Sequence, residues 1–273
     1  MNFGRFKKTD LLFCLVILSG LLFSQIALAG LSVAPLSMKL EASSGENASA
    51  ILNIRNTGEE EIDINVQIVD WWRTPEGNLQ FMTPGSRDRS CADWLIYSPT
   101  SLTIQPRERE RVSIELEVPE GVGGDHWAML LVTENPKAVD EEEQEVSTRV
   151  TVNYAVKILQ KDPSNNQKTA KITNIEPLSV KPLKLAVTYK NTGPTHLRTT
   201  GRVEIRNLQG ETVRTYQIDQ FPTLPGEKHL LDIGGSDNNY ENLEPGTYYA
   251  IVIMDFGGDH LIQGGLPIQI PES

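Results

Sequence analysis

Past the first thirty residues, short stretches of the chain alternate apolar and polar side chains every two residues. The clearest run, Ile62 to Ile68, has isoleucine or valine at each even position and polar side chains between them. Because successive side chains of a strand point to opposite faces, this pattern predicts a half-buried β-strand. Further strands are predicted over 50–55, 101–104, 112–118, 127–132, 146–159, 183–190, 202–206 and 248–253. Short strands separated by turn residues, with almost no helical periodicity, predict an all-β protein of immunoglobulin-like β-sandwiches.

The second half of the sequence repeats landmarks of the first half in the same order. An Asn-Thr-Gly turn ends a predicted strand at 56–58 and another at 191–193, and Pro106 and Pro225 then each open a turn. An aromatic-bearing strand preceded by a proline and glycine turn follows in both halves. Such a repeat favours two tandem sandwiches over one large barrel. The polar stretch 161–167 places the boundary, which gives predicted domains at 30–162 and 163–273.

Residues 1–29 have the composition of a secretory signal peptide. Arg5, Lys7 and Lys8 precede an apolar run over 11–27, and Ala27-Leu28-Ala29 supplies the small residues that signal peptidase requires. We therefore expect export and cleavage after Ala29. The alternative is an uncleaved N-terminal anchor helix, because the apolar run is nearly long enough to span a bilayer.

Charge and cysteine content narrow the classes of function. Removing the signal peptide takes away three basic side chains and one acidic side chain, so the net charge changes from −11 to −13. An acidic chain of this kind does not suit nucleic-acid binding, which needs a basic surface. Cys14 leaves with the signal peptide, and Cys91 remains alone. A lone cysteine of an exported protein is either a buried thiol, which we favour, or the partner of an intermolecular disulfide.

No cluster of side chains in the sequence predicts catalysis or metal binding. Gly-Gly-Asp-His occurs at 123–126 and at 257–260, but one copy precedes a predicted strand and the other follows one. Turn chemistry explains both copies, since glycine supplies positive φ angles and aspartate hydrogen-bonds its own backbone. The acidic run 140–145 lacks the alternating oxygens and the glycine of a calcium loop, so we interpret it as a solvated loop. We expect no enzyme activity, no cofactor and no bound metal.

A long predicted strand remains, with strict alternation from Val146 to Ile158. It can be an ordinary internal strand of the first sandwich. It can also offer an exposed part to another chain by β-augmentation, in which an added strand extends the sheet of a partner.

Several segments of the first predicted domain resemble the periplasmic pilus-assembly chaperone (PapD-like) superfamily. Leu31-Ser32-Val33-Ala34-Pro35 resembles the opening V-x-P strand of that family, and 52–56 resembles its second strand. The segment 97–106 is similar to its proline-bounded stretch, and Val156-Lys157-Ile158-Leu159 is similar to the strand that ends its first domain. The resemblance implies two immunoglobulin-like domains and a periplasmic location.

The resemblance also implies a client-binding site. Lys157 matches the family lysine that anchors the terminal carboxylate of an exported subunit, and Val150, Val152, Tyr154 and Val156 lie on the strand donated to that subunit. The position of the family's anchoring arginine holds Ser37, whose neutral hydroxyl cannot make the bidentate contact of a guanidinium. We therefore predict a periplasmic chaperone-like protein that binds exported, pilin-like polypeptides or envelope proteins by strand donation. The alternative is a structural or adhesive module of the envelope.

Overall fold

The computed structural model describes residues 30–135, 153–235 and 243–272. The predicted signal peptide 1–29, the acidic run 140–145 and the strand segment 146–152 lie outside these residues. The described chain is almost entirely β-structure, with a single 3-10 turn at Ala92–Trp94 and no α-helix. The predicted fold class, two tandem immunoglobulin-like sandwiches, is confirmed.

The first sandwich contains ten described strands in two sheets. One sheet has the order β1-β3-β8-β6, and the other has the order β2-β10-β9-β4, with β5 and β7 each pairing with a different part of β4. The strands are β1 (Leu31–Ala34), β2 (Ser37–Glu41), β3 (Asn47–Asn56), β4 (Ile62–Arg73), β5 (Leu79–Met82), β6 (Leu95–Ser98), β7 (Ser101–Ile104), β8 (Arg109–Glu117), β9 (His126–Asn135) and β10 (Asn153–Lys161).

The apolar residues of the alternating pattern form the core of this sandwich. In β4, Ile62, Ile64 and Val66 are buried while the polar residues between them are exposed. They pack with buried residues of the facing sheet, including Leu52 and Ile114. Complete burial of one such aliphatic side chain contributes about 1.5–3 kcal/mol, so the alternating pattern specifies both the strand and its register.

The second sandwich contains seven described strands around a separate core. Its sheets have the orders β11-β12-β15 and β14-β13-β16-β17. The strands are β11 (Ala170–Val180), β12 (Leu183–Asn191), β13 (Leu197–Arg206), β14 (Thr212–Thr223), β15 (Lys228–Gly234), β16 (Gly246–Asp255) and β17 (Ile262–Ile270). The two main cores lie on either side of the predicted boundary at 162/163, which itself stays a prediction.

The sequence repeat corresponds to a repeated local structure. Asn56 and Asn191 are both fully buried, and each side-chain amide donates to two backbone carbonyl oxygens. Each side-chain oxygen accepts from the N–H of the glycine two residues later. The backbone N–H of each asparagine donates to the carbonyl oxygen of a glutamate, Glu108 in the first sandwich and Glu227 in the second. The Asn-Thr-Gly and proline turns are therefore equivalent positions of two similar domains.

A third, smaller cluster of buried residues joins the two sandwiches. Trp71, Trp127 and Met129 of the first sandwich pack with Leu224 of the second, and we call these four residues the junction cluster. The indole N–H of Trp71 donates to the carbonyl oxygen of Ala128, so the buried polar group of that ring is satisfied. The junction cluster brings the end of β4, the start of β9 and a turn of the second sandwich to one place.

Candidate functional site

The register of β10 places the two predicted anchor positions side by side. β10 runs parallel to β2, and Lys157 lies opposite Ser37 in this pairing. The backbone N–H of Lys157 donates to the carbonyl oxygen of Leu36 at 3.0 Å. The preceding segment, 153–156, pairs with β9 but with no other described strand. One edge of this segment therefore has backbone groups that no described strand pairs.

The two faces of β10 have different neighbours. Val156 is fully buried in the core of the first sandwich, and Tyr154 is partly buried against the same core. Ala155 and Leu159, on the opposite face, pack against the junction cluster. Of the side chains predicted to contact a client, Tyr154 and Val156 thus serve the core of their own domain in this structure. Val150 and Val152 lie outside the described residues.

Lys157 lies on the junction-cluster face of β10. Its Nζ is 5.4 Å from the centre of the Trp71 ring, at a distance suited to a cation–π contact. Burial lowers the pKa of Lys157, and the nearby Arg73 cation lowers it further, while Glu227 opposes this shift. An ammonium group that has lost part of its hydration interacts more strongly with an incoming carboxylate than an exposed one does.

An ion pair between the sandwiches lies close to Lys157. Nε of Arg73, the last residue of β4, is 3.1 Å from Oε1 of Glu227, whose side chain is fully buried. The other carboxylate oxygen of Glu227 accepts from the N–H of Leu224 at 2.7 Å. Burial raises the pKa of Glu227, against the opposing effects of the Leu224 N–H and the charges of Arg73 and Lys157. Sequence analysis identified this segment only as a proline turn, because nothing in its local pattern indicates that the glutamate is buried.

Asp125 is a second link between the sandwiches that sequence analysis missed. Its buried carboxylate accepts from the backbone N–H of Asp162 at 3.0 Å and from that of His196 at 2.7 Å. Lys161 Nζ lies 3.2 Å from each carboxylate oxygen. The interpretation of Asp125 as a residue that bonds its own turn is therefore wrong, since its partners are 36 to 71 residues away. Asp259, in the other Gly-Gly-Asp-His copy, lies in an exposed turn between β16 and β17.

The remaining candidates from the sequence are the lone cysteine and the possible metal ligands. Cys91 is fully buried in the first core, as predicted, and burial raises the pKa of its thiol. Within 30–135, 153–235 and 243–272, no three His, Cys, Asp or Glu side chains are grouped so that they could hold a metal ion. The same ranges contain no helix with the length and apolar character needed to cross a membrane.

Together these features define a protein of two immunoglobulin-like sandwiches whose junction combines an open strand edge, a half-buried lysine and an aromatic cluster. Solved structures with similar architecture include the chaperone-tip adhesion subunit pre-assembly complex (CsuC-CsuE) of archaic Csu pili from Acinetobacter baumannii. That match has 13% identity and a TM-score of 0.47, and it covers 86% of this chain and 98% of that chain. The class 5 fimbriae chaperone CfaA matches at 13% identity and a TM-score of 0.48, over 89% of this chain and 100% of that chain.

A chaperone-tip adhesin complex of CFA/I fimbriae matches at 11% identity and a TM-score of 0.49, over 89% of this chain and 100% of that chain. All three matches are distant, at 11–13% identity and TM-scores of 0.47–0.49. No protein-family model matches the sequence. No curated protein matches it either.

Proposed function

We propose that this chain is a periplasmic chaperone-like protein that binds an exported, pilin-like polypeptide by donating an edge of its first sandwich. The observation that carries the proposal is the open edge of 153–156, which leads directly to Lys157 at the junction of the sandwiches. A client strand that pairs with this edge satisfies its free backbone groups and ends beside the ammonium group of Lys157. The donated segment continues towards the N-terminus through Val152 and Val150.

The lysine acts without the arginine that usually assists it. Ser37 lies opposite Lys157 and carries no charge. Lys39, on the same exposed face of β2, pairs with Glu41, with 2.6 Å between Nζ and Oε1. Arg73 is held by Glu227. Lys157 therefore supplies most of the attraction for a client carboxylate, which predicts weaker anchoring than a Lys and Arg pair gives.

Affinity capture from the cell envelope of the source organism tests the proposal. The mature protein is compared with Val152→Glu, which puts a charge on the donated strand, and with Lys157→Met, which removes the anchor but keeps the apolar stem. We expect each variant to retain roughly a tenth or less of the client, because one buried charge or one lost charged hydrogen bond changes affinity by at least that factor. Val213→Glu, at an exposed valine of β14, is the matched control.

The outcomes separate the alternatives. A client captured equally by all variants contradicts strand donation. Capture of no client at all favours the structural or adhesive envelope module. Osmotic-shock fractionation and N-terminal sequencing test the location, with Gly30 expected as the first residue of a periplasmic form.

A further inference from the structure

A pocket lined by arginine and tryptophan opens between the sandwiches. The first sandwich contributes Trp72, Arg87, Asp88, Arg89 and Trp127, and the second contributes the turns 192–193 and 225–226. The Trp72 and Trp127 rings stack with their centres 6.0 Å apart. Trp127 also belongs to the junction cluster, which contains the Trp71 ring that Lys157 contacts.

The segment that carries the two arginines is held in place by a buried carboxylate. Asp70 is 1% exposed and accepts from the backbone N–H of Arg87 at 3.1 Å and from the hydroxyls of Ser86 and Ser90. Nη1 of Arg89 donates to the carbonyl oxygen of Asp125 at 3.2 Å. These bonds fix the backbone of 86–90 against the end of β4, so the arginines are positioned before any ligand arrives.

The guanidinium group of Arg87 is available to bind a ligand. Its guanidinium carbon lies 4.1 Å from the centre of the Trp72 ring. Within the described ranges, no carboxylate forms an ion pair with Arg87 or with Arg89. Asp88 also lines the pocket, so two cations face one anion there. A guanidinium that rests on an aromatic face keeps N–H donors for a carboxylate.

We propose that this pocket binds a carboxylate side chain, aspartate or glutamate, of the polypeptide client, with Arg87 as the main donor and Trp72 as its support. The inference rests on the proposed function, since it takes the ligand to be the client that ends at Lys157. The mature chain carries a net charge of −13, so most of its surface repels acidic side chains of a client. The locally positive pocket attracts them and so selects where they bind. The pocket is thus a specificity site separate from the terminal anchor.

A capped peptide tests the pocket independently of the anchor. The probe is an acetylated and amidated pentaglutamate, which has no terminal carboxylate, and its pentaglutamine counterpart is the neutral control. The full mature chain is titrated while the indole N–H signals are followed by nuclear magnetic resonance, with the Trp72 signal assigned from Trp72→Phe. We expect pentaglutamate to shift the Trp72 signal and pentaglutamine to leave it unchanged.

Variants at two arginines complete the test. Arg87→Gln is expected to weaken pentaglutamate binding about tenfold or more, as loss of a charge-assisted contact does. Arg109→Gln, at an exposed arginine of β8, is expected to bind as the wild type does. Thermal melts of both variants check that each is folded.

The proposal is overturned if pentaglutamate leaves the Trp72 signal unchanged at millimolar concentration, or if Arg87→Gln binds it as tightly as the wild type. Lys157→Met is expected to keep pentaglutamate binding. A client that Lys157→Met and Val152→Glu capture as well as the wild type does, with intact pentaglutamate binding, counts against strand donation alone. A client that these two variants lose, with no pentaglutamate binding by the wild type, counts against the pocket alone.

Discussion

Replacing Asp125 by alanine tests how strongly the two sandwiches are joined. The substitution removes a buried carboxylate but keeps the backbone hydrogen bond from the Asp125 N–H to the carbonyl oxygen of Pro194, which is 2.9 Å long. It therefore isolates the contribution of the side chain to the junction.

The expected magnitude follows from the groups left without a partner. The backbone N–H groups of Asp162 and His196 lose their acceptor, and Lys161 loses its ion pair. Each orphaned buried donor costs about 1–3 kcal/mol, and breaking a buried ion pair by removing one partner costs about 3–5 kcal/mol. Because Lys161 remains 23% exposed and can be solvated, we expect a total loss of about 3–5 kcal/mol in the free energy of unfolding.

Chemical denaturation followed by tryptophan fluorescence measures this loss, since Trp127 lies two residues from the substitution. Asp125→Asn keeps the volume of the side chain and one carbonyl oxygen, so its free energy of unfolding is expected to lie between those of the wild type and the alanine variant. Asp63→Ala, at an exposed aspartate of β4, is the matched control and should stay within about 0.5 kcal/mol of the wild type. If Asp125→Ala unfolds within that same margin, the buried carboxylate does not hold the junction.

Three further predictions follow from the same region and from the first core. Gly124 has φ +83°, and a Cβ placed there lies 2.8 Å from the carbonyl oxygen of Pro194, whereas Gly121 has φ +79° and no atom within 4 Å of its Cβ position. Gly124→Ala should therefore lower the free energy of unfolding by at least about 1 kcal/mol more than Gly121→Ala does. Equal losses in chemical denaturation would show that the junction tolerates the methyl group. Burial lowers the pKa of His196 to about 4 from its usual 6.5, so the stability that depends on its neutral ring is complete above pH 6.5 and is lost as the pH falls towards 4. Between pH 7.5 and 4.5 the free energy of unfolding of the wild type should fall by about 2 kcal/mol more than that of His196→Gln. Equal decreases in the two proteins would contradict this assignment. Cys91 should react with a thiol reagent only after denaturant unfolds the first sandwich, and rapid labelling of the native protein would contradict its burial.

The strands that alternation predicted most clearly, such as β4 and β8, have one buried face and no interruption. The strands that were missed include β11, β14 and β17, and each contains a proline: Pro177, Pro222 and Pro267. All three are edge strands of their sheets, where a residue without an N–H does not break a ladder on both sides. Their irregular patterns reflect position at an edge, which depends on the arrangement of the whole sheet.

For the candidate site, the sequence located single residues but not their neighbours. It placed Lys157 on the last strand of the first domain and Ser37 near the start of the chain, and the parallel pairing of β10 with β2 brings them together. Arg73 gave no sequence signal, because it ends a strand as an ordinary polar residue. Its partner Glu227 is buried only because the second sandwich packs a turn against the junction cluster.

The sequence by itself determined the two sandwiches, the equivalence of their turns and the burial of Cys91, since each depends on local periodicity or on residue type. Tertiary structure alone decided which polar side chains became buried. Asp125, Glu227 and Asp70 lie in turns or at the end of a strand, where local sequence predicts exposure, and each is covered by a segment distant in sequence. A buried carboxylate is stable only where donors converge on it, and that convergence is a property of packing between elements.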